Sequence, residues 1–196
     1  VGYEPEDFFV ATLTKAAARD FEQKVKKELE ADLENVSTLH HRAKGIVHKY
    51  CEHIGWPADF GVLGKLECEM LLADMRADLK ARSKKLSKRD WYGLLREYQR
   101  KAANLQMDES SFAKAYRKYQ SFYNAMDWYD IMRFACEILS NDDGACEEEC
   151  SKAKFILIDE YQDLNRADQE FVRLLCDGRP TLLAVGDDNQ SIYGGR

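Results

Sequence analysis

The sequence has no CxxC pair, no internal repeat and no low-complexity tract. Its six cysteines are scattered, and the one close pair, Cys146-Glu-Glu-Glu-Cys150, suits neither a zinc knuckle nor a cluster motif. Reduced, mostly buried thiols are therefore expected, with the Cys146–Cys150 stretch in a solvated loop. No segment approaches the ~18 consecutive apolar residues of a membrane span. The opening residues, Val1-Gly2-Tyr3-Glu4-Pro5, lack a basic region leading into an apolar one. A soluble, unsecreted, cytoplasmic protein without a membrane partner is expected. One more absence bears on chemistry: GxxxxGK(S/T), whose backbone N–H groups and lysine cradle nucleotide phosphates, occurs nowhere in the 196 residues.

What is present suffices for a folded protein, because 45% of the residues are hydrophobic and 11% aromatic. A net charge of −6 argues against nucleic acid as a partner, but it hides an asymmetry. Between Arg76 and Gln120 lie 13 basic and five acidic residues, a local charge of +8, which leaves −14 for the rest. Trp91, Tyr92, Tyr98, Tyr116 and Tyr119 interleave with those cations. Basic side chains among aromatics are one signature of a nucleic-acid surface, and solvated helix faces are the alternative.

Hydrophobic periodicity divides the chain. Phe8 to Leu13 reads as a buried strand, Lys15 to Leu33 as a helix with apolar positions at Ala18, Phe21, Val25, Leu29 and Leu33, and Val36 to Leu39 as a second short strand. A helix from His41 to about Tyr50 stops before Gly55-Trp56-Pro57. From Leu63 to Leu139 the pattern is helical throughout, broken near Ser87–Asp90, Met107–Ser110 and Ala125–Asp127. After a polar loop from Ser140 to Ser151 come a strand at Phe155–Ile158, a helix at Asp168–Leu175, a turn, and a strand at Thr181–Val185. Strands alternating with helices predict an α/β fold with a parallel sheet covered on both faces and an all-helical insertion. The expected division is 1–50 and 123–196 for the α/β part and 51–122 for the insertion.

In an open parallel sheet, ligands bind beyond the carboxyl ends of the strands, and Asp159-Glu160 directly follow the apolar run Ile156-Leu157-Ile158. Adjacent residues leaving a strand point in different directions. One carboxylate can therefore hold a hydrated Mg²⁺ while the next positions a water for attack on phosphorus. The plainer reading, a helix N-cap at Asp163 or Asn165, accounts for the later polar residues but not for acids set against a hydrophobic strand.

These residues carry a resemblance. Ile158-Asp159-Glu160-Tyr161-Gln162-Asp163 resembles the DExQD form of the Walker B motif in the UvrD/Rep family of superfamily 1 DNA helicases, and Gly186-Asp187-Asp188-Asn189-Gln190-Ser191-Ile192-Tyr193-Gly194-Gly195-Arg196 resembles that family's motif III. Thr12-Leu13-Thr14-Lys15-Ala16-Ala17-Ala18-Arg19-Asp20-Phe21 is similar to motif Ia, Thr38-Leu39-His40 to the TFH of motif Ic, and Asn124 to Ile131 to the ALDFDDL helix. The resemblance implies a partial P-loop NTPase (RecA-like) sheet with a helical 1B insertion, and ATP and Mg²⁺ as cofactors. It implies Asp159 as the metal ligand, Glu160 as the base that orients water, and Gln190 as the amide that senses the terminal phosphate. It also implies that Gln162 would lie beside the nucleotide and, with Asp163, couple hydrolysis to the DNA path. Thr12, Thr14, Thr38 and His40 would face single-stranded DNA. Arg196 would contact phosphate, and Tyr193 would either stack on a base or pack in the core. The implied activity is ATP-driven movement on single-stranded DNA, 3′ to 5′, with unwinding at a duplex junction. Lys84, Lys85, Lys88 and Arg89 are candidates for duplex phosphate.

The departures have consequences of their own. Leu13 and Gly195 stand where the family has aromatic rings, and a stacked base is worth ~1–3 kcal/mol, so strand grip should be weaker or redistributed. Without a Walker A segment and a second RecA-like domain, the expectation is a fragment that alone neither hydrolyses ATP nor unwinds DNA. Two alternatives stay open: a subunit of a RecB- or AddA-like helicase-nuclease, and a non-enzymatic DNA- or partner-binding helical module on an α/β scaffold.

Overall fold

Four short runs rich in β-branched and aromatic residues lie side by side as one parallel sheet. The computed structural model describes residues 2–12, 14–30, 32–33, 35–79, 87–177 and 180–187. In chain order the elements are β1 (Phe8–Thr12), α1 (Lys15–Leu29), β2 (Val36–Thr38), α2 (Leu39–Lys49), β3 (Gly61–Leu63), α3 (Lys65–Leu79), α4 (Lys88–Ala103), α5 (Ser111–Phe122), β4 (Ala125–Asp127), α6 (Trp128–Asn141), α7 (Asp143–Cys150), β5 (Phe155–Ile158), α8 (Arg166–Leu175) and β6 (Thr181–Ala184). The main sheet has the order β2-β1-β5-β6, every pair parallel. Its register sets Thr12 beside Thr38, Ala11 beside Ile158 and Ile158 beside Ala184, so the carboxyl ends of all four strands form one rim.

Apolar side chains of β1 and β5 pack with α2, α6, α7 and α8 into the larger core, where Val47, Ile131 and Phe171 are fully enclosed. Each such side chain contributes about 1.5–3 kcal/mol by leaving water. A smaller core joins α3, α4 and α5 through Met75, Trp91, Leu95, Tyr98, Phe112 and Tyr116. Helix starts follow capping chemistry: Thr14, Thr38, Ser87, Ser110, Asp127, Asp142 and Asn165 each accept a backbone N–H of the following first turn.

Several expectations need correction. The middle of the chain is not helical throughout: Gly61–Leu63 and Ala125–Asp127 pair as a two-stranded parallel sheet, too short for periodicity to reveal. The stretch expected as a polar loop from Ser140 holds α7, whose Ala145, Cys146, Glu149 and Cys150 all face inward. Cys146 and Cys150 are thus buried rather than solvated, and both thiols point at the Leu174 carbonyl. α1 ends at Leu29, four residues early, because Glu30 turns into the left-handed region (φ 53°). α8 starts at Arg166, where Asn165 and Asp168 form a reciprocal capping box. Trp91, Tyr98 and Tyr116, read among the cations as a nucleic-acid surface, are core residues. The sheet is not covered on both faces throughout, since β6 is exposed along its length.

Candidate functional site

Parallel pairing brings the sequence-predicted residues of three strands to one rim. Thr12 closes β1, Thr38 closes β2, and Asp159 follows β5 with its N–H donated to the Ala11 carbonyl. The Asp159 carboxylate is exposed, and its Oδ1 accepts the Glu160 N–H at 3.0 Å. Glu160 has φ 55° and ψ 42°, a left-handed conformation that a glutamate adopts only when its surroundings hold it there. They do: the Tyr161 N–H binds the Val185 carbonyl at 2.9 Å, and the Asp163 N–H binds the Glu160 carbonyl at 3.0 Å.

Gln162 is the joint of the site. Its Nε2 donates to Glu160 Oε2 at 2.5 Å, while its Oε1 accepts the Asp187 N–H at 3.1 Å. One amide thus ties the acidic pair after β5 to the segment leaving β6. Gly186 lies so close that an added Cβ would collide with the Gln162 amide oxygen and come within 3.3 Å of two backbone nitrogens. Gln190, Tyr193 and Arg196 lie outside the described residues, as do Leu13, Lys84, Lys85 and Gly195.

Beside this rim runs an open groove of about 850 Å³ between the sheet edge and α4. The N-termini of α1, α2, α6 and α8 open onto it through Lys15, His40, Trp128 and Asn165. Helix N-termini carry unpaired N–H groups and partial positive charge, so their convergence favours anions. Lys44, Arg96 and Arg100 add full charges, and Arg100 is also held by Glu97. The ring of Trp128 meets His40 edge to face at 5.9 Å. Asp163 and Asp168 line the same groove, each with a buried, unpartnered Oδ1. Burial pushes the Asp168 carboxyl up, and the neighbouring His40 charge opposes that rise.

The threonines differ from one another. Thr12 is buried and donates its hydroxyl proton to the Thr14 carbonyl at 3.0 Å. Thr14 and Thr38 use their oxygens as caps, accepting from Ala17 at 3.1 Å and His41 at 3.2 Å, which leaves each hydroxyl proton to donate outward. The groove cations Lys15, Lys44, Arg96 and Arg100, and the ring of Trp128, were not singled out in the sequence. Arg96 and Arg100 had a signal there as members of the basic middle segment, Lys15 as part of the motif Ia-like stretch and Trp128 as part of the ALDFDDL-like stretch, whereas Lys44 had none.

Asp159 is the exposed carboxylate at this rim that a metal ion could use. Among the described residues no three His, Cys, Asp or Glu side chains converge on a metal-sized space. Mg²⁺ needs no such cage, because it binds through one or two carboxylates plus phosphates and water. Exposed Asp159 fits that demand.

Comparison with known proteins gives the same direction. The family model for the UvrD/REP helicase N-terminal domain matches residues 1–196. The chain is 28% identical over 208 residues to the ATP-dependent DNA helicase Rep of Salmonella typhimurium, covering 100% of this chain and 31% of that protein. It is 27% identical to the Escherichia coli Rep helicase over the same shares. With the ATP-dependent DNA helicase PcrA of Staphylococcus aureus it shares 27% identity, covering 98% of this chain and 28% of the relative. The chain therefore spans less than a third of the length of these relatives.

Proposed function

From the premise that this chain belongs to the family of UvrD/REP helicase N-terminal domains, we propose that it forms one wall of an ATP-dependent DNA helicase. It would combine the hydrolytic carboxylates of the nucleotide site with a groove for single-stranded DNA. The observation that carries this reading is the convergence, on one sheet rim, of Asp159, Glu160 and a groove where four helix N-termini meet Lys44 and Arg96. Residues 51–122 are proposed as the inserted 1B subdomain, supported by the separate core that α3, α4 and α5 build.

When bound, Mg²⁺ and ATP supply the electrophilic phosphorus and neutralise charge that develops on its oxygens. Asp159 would hold the metal. Glu160, with Oε2 fixed by Gln162, presents its other oxygen to accept a proton from the attacking water. Gln190 follows Asp187 by three residues in sequence, so a shift at the terminal phosphate would reach Gln162 through the segment at Gly186–Asp187. On the DNA side, Thr14, Thr38 and Lys15 donate to phosphate at the starts of α1 and α2, and Trp128 offers a ring to a base. Thr12 supports Thr14 from beneath. Tyr193 and Arg196 are proposed DNA contacts on the motif III resemblance alone, and the 3′ to 5′ direction likewise rests on family resemblance.

In the full-length protein, Glu160→Gln is expected to lower ATP hydrolysis by about 10²–10⁴-fold, the usual worth of a positioned base, with single-stranded DNA binding retained. The 196-residue chain alone is expected to bind oligothymidylate, with a log K against log salt slope of about −0.7 per phosphate neutralised. Arg96→Ala should make that slope shallower. DNA-stimulated ATP hydrolysis by the chain alone, or a salt-independent affinity, would contradict the proposal.

A further inference from the structure

α3 is apolar on two opposite faces. Cys68, Leu71, Leu72 and Met75 point into the smaller core and are buried. Leu66, Met70, Ala73 and Ala77 lie on the other side, and all four are exposed. Leu66 and Met70 show 64% and 61% of their surface. Their spacing, i, i+4, i+7 and i+11, is the alternating four-three repeat of a helix–helix seam. A helix needing one partner keeps its far face polar. Here the far face holds four apolar residues in a straight line and none that is charged.

The neighbouring chain widens this strip. Tyr123 donates its hydroxyl to Asp74 at 2.7 Å, and Tyr119 donates to Asp78. Phe122, 78% exposed, packs edge to face on Tyr123 with ring centroids 5.0 Å apart. Two exposed rings thus stand across the acidic flank from the strip, and exposed apolar surface rimmed by polar groups marks a docking surface. The rim has a sign. Glu67, Asp74 and Asp78 share one flank of α3, a quarter to a third of a turn from the strip.

We propose that this face of α3 docks an amphipathic helix from a partner protein, with Lys or Arg on the side of its apolar seam that meets Glu67, Asp74 and Asp78. The acidic flank selects that sign of charge. It also disfavours nucleic acid, and it opposes acid to acid when two copies pack antiparallel through α3. Ala73 and Ala77 leave room for close backbone approach along the second half of the seam, and Met70 adapts its shape to what it meets.

Two fluorescent peptides of about three heptads test this, both with Leu at the seam positions, one with Lys and one with Glu at the flanking positions. By fluorescence anisotropy the Lys peptide should bind the chain at least about tenfold more tightly than the Glu peptide, a difference of ~1.4 kcal/mol. Met70→Glu and Ala73→Glu should each weaken binding of the Lys peptide by at least about tenfold, while thermal melts stay within a few degrees of the parent because both positions are exposed. Equal binding of the two peptides, no binding of either, or full binding by Met70→Glu would overturn the proposal. So would a dimer of the chain that Met70→Glu dissociates, since the occupant would then be a second copy.

Discussion

At the scale of single residues, the acidic pair was legible and its geometry was not. An apolar run followed at once by Asp159 and Glu160 places carboxylates at a strand end, because a short run rich in aromatic and β-branched residues, Phe155 to Ile158, reads as a buried strand. No sequence pattern announces that Glu160 adopts φ 55°, or that Gln162 reaches both Glu160 and Asp187, since those depend on how β5 and β6 register. Gly186 follows from the same geometry. Gly186→Ala puts a methyl against the Gln162 amide, an overpacking that costs about 1–3 kcal/mol. Gln162→Ala in the same chain removes the collision, so the double variant should be less destabilised than the sum of the two single ones. Thermal denaturation of all four chains measures that coupling, and strict additivity would show that the two residues do not touch.

Among the elements, the least legible were those whose partners are distant in sequence. β3 and β4 pair across about sixty residues, and α7 reads as polar until Cys146, Glu149 and Cys150 are seen to face α6, α8 and α2. The ALDFDDL-like stretch is legible in the sequence, but its role as a polar joint between the two cores depends on partners in α4 and α5. Asp127 and Asp130 are both buried at the start of α6. Asp130 accepts from Tyr98 at 2.9 and 2.8 Å and from Gln120 at 2.9 Å, with Arg133 alongside at 3.4 Å. Asp127 caps α6 and accepts from Tyr116 at 3.2 Å and Gln99 at 3.4 Å, with Cys68 beyond Tyr116. Burial first, and the neighbouring Asp130 charge second, push the Asp127 carboxyl up to about 7 from an ordinary value near 3.8. A carboxyl raised on folding stabilises the native state below its unfolded value and loses that contribution as pH climbs through its folded one. The melting temperature should therefore fall between about pH 4 and pH 7 through this group, and Asp127→Asn, which keeps the cap, should flatten that fall. If native protein and Asp127→Asn show parallel pH profiles, Asp127 does not titrate in this window.

For the molecule as a whole, the exposed state of β6 is the feature that composition could not foretell. Strands in a parallel sheet are normally covered on both faces, which is why they read as unbroken apolar runs, and Thr181 to Val185 reads that way. Yet Leu182 is 41% exposed, and Leu183 and Val185 are each 55% exposed. Among the described residues β6 also has no strand on its far side, so its outer N–H and C=O groups face outward beside those side chains. An open apolar edge is a template for another chain. In isolation the 196 residues should therefore self-associate at micromolar concentrations through β6. Leu183→Lys places a charge where edge strands ordinarily carry one, and it removes little native packing because Leu183 is half exposed. Sedimentation velocity should show the variant shifted toward monomer at about 50 µM, with an unchanged melting temperature. The α3 strip supplies an internal control, because Met70→Glu should leave this association intact if it runs through the sheet edge. Association that Met70→Glu removes and Leu183→Lys does not would move the contact from the sheet to α3 and refute both assignments together.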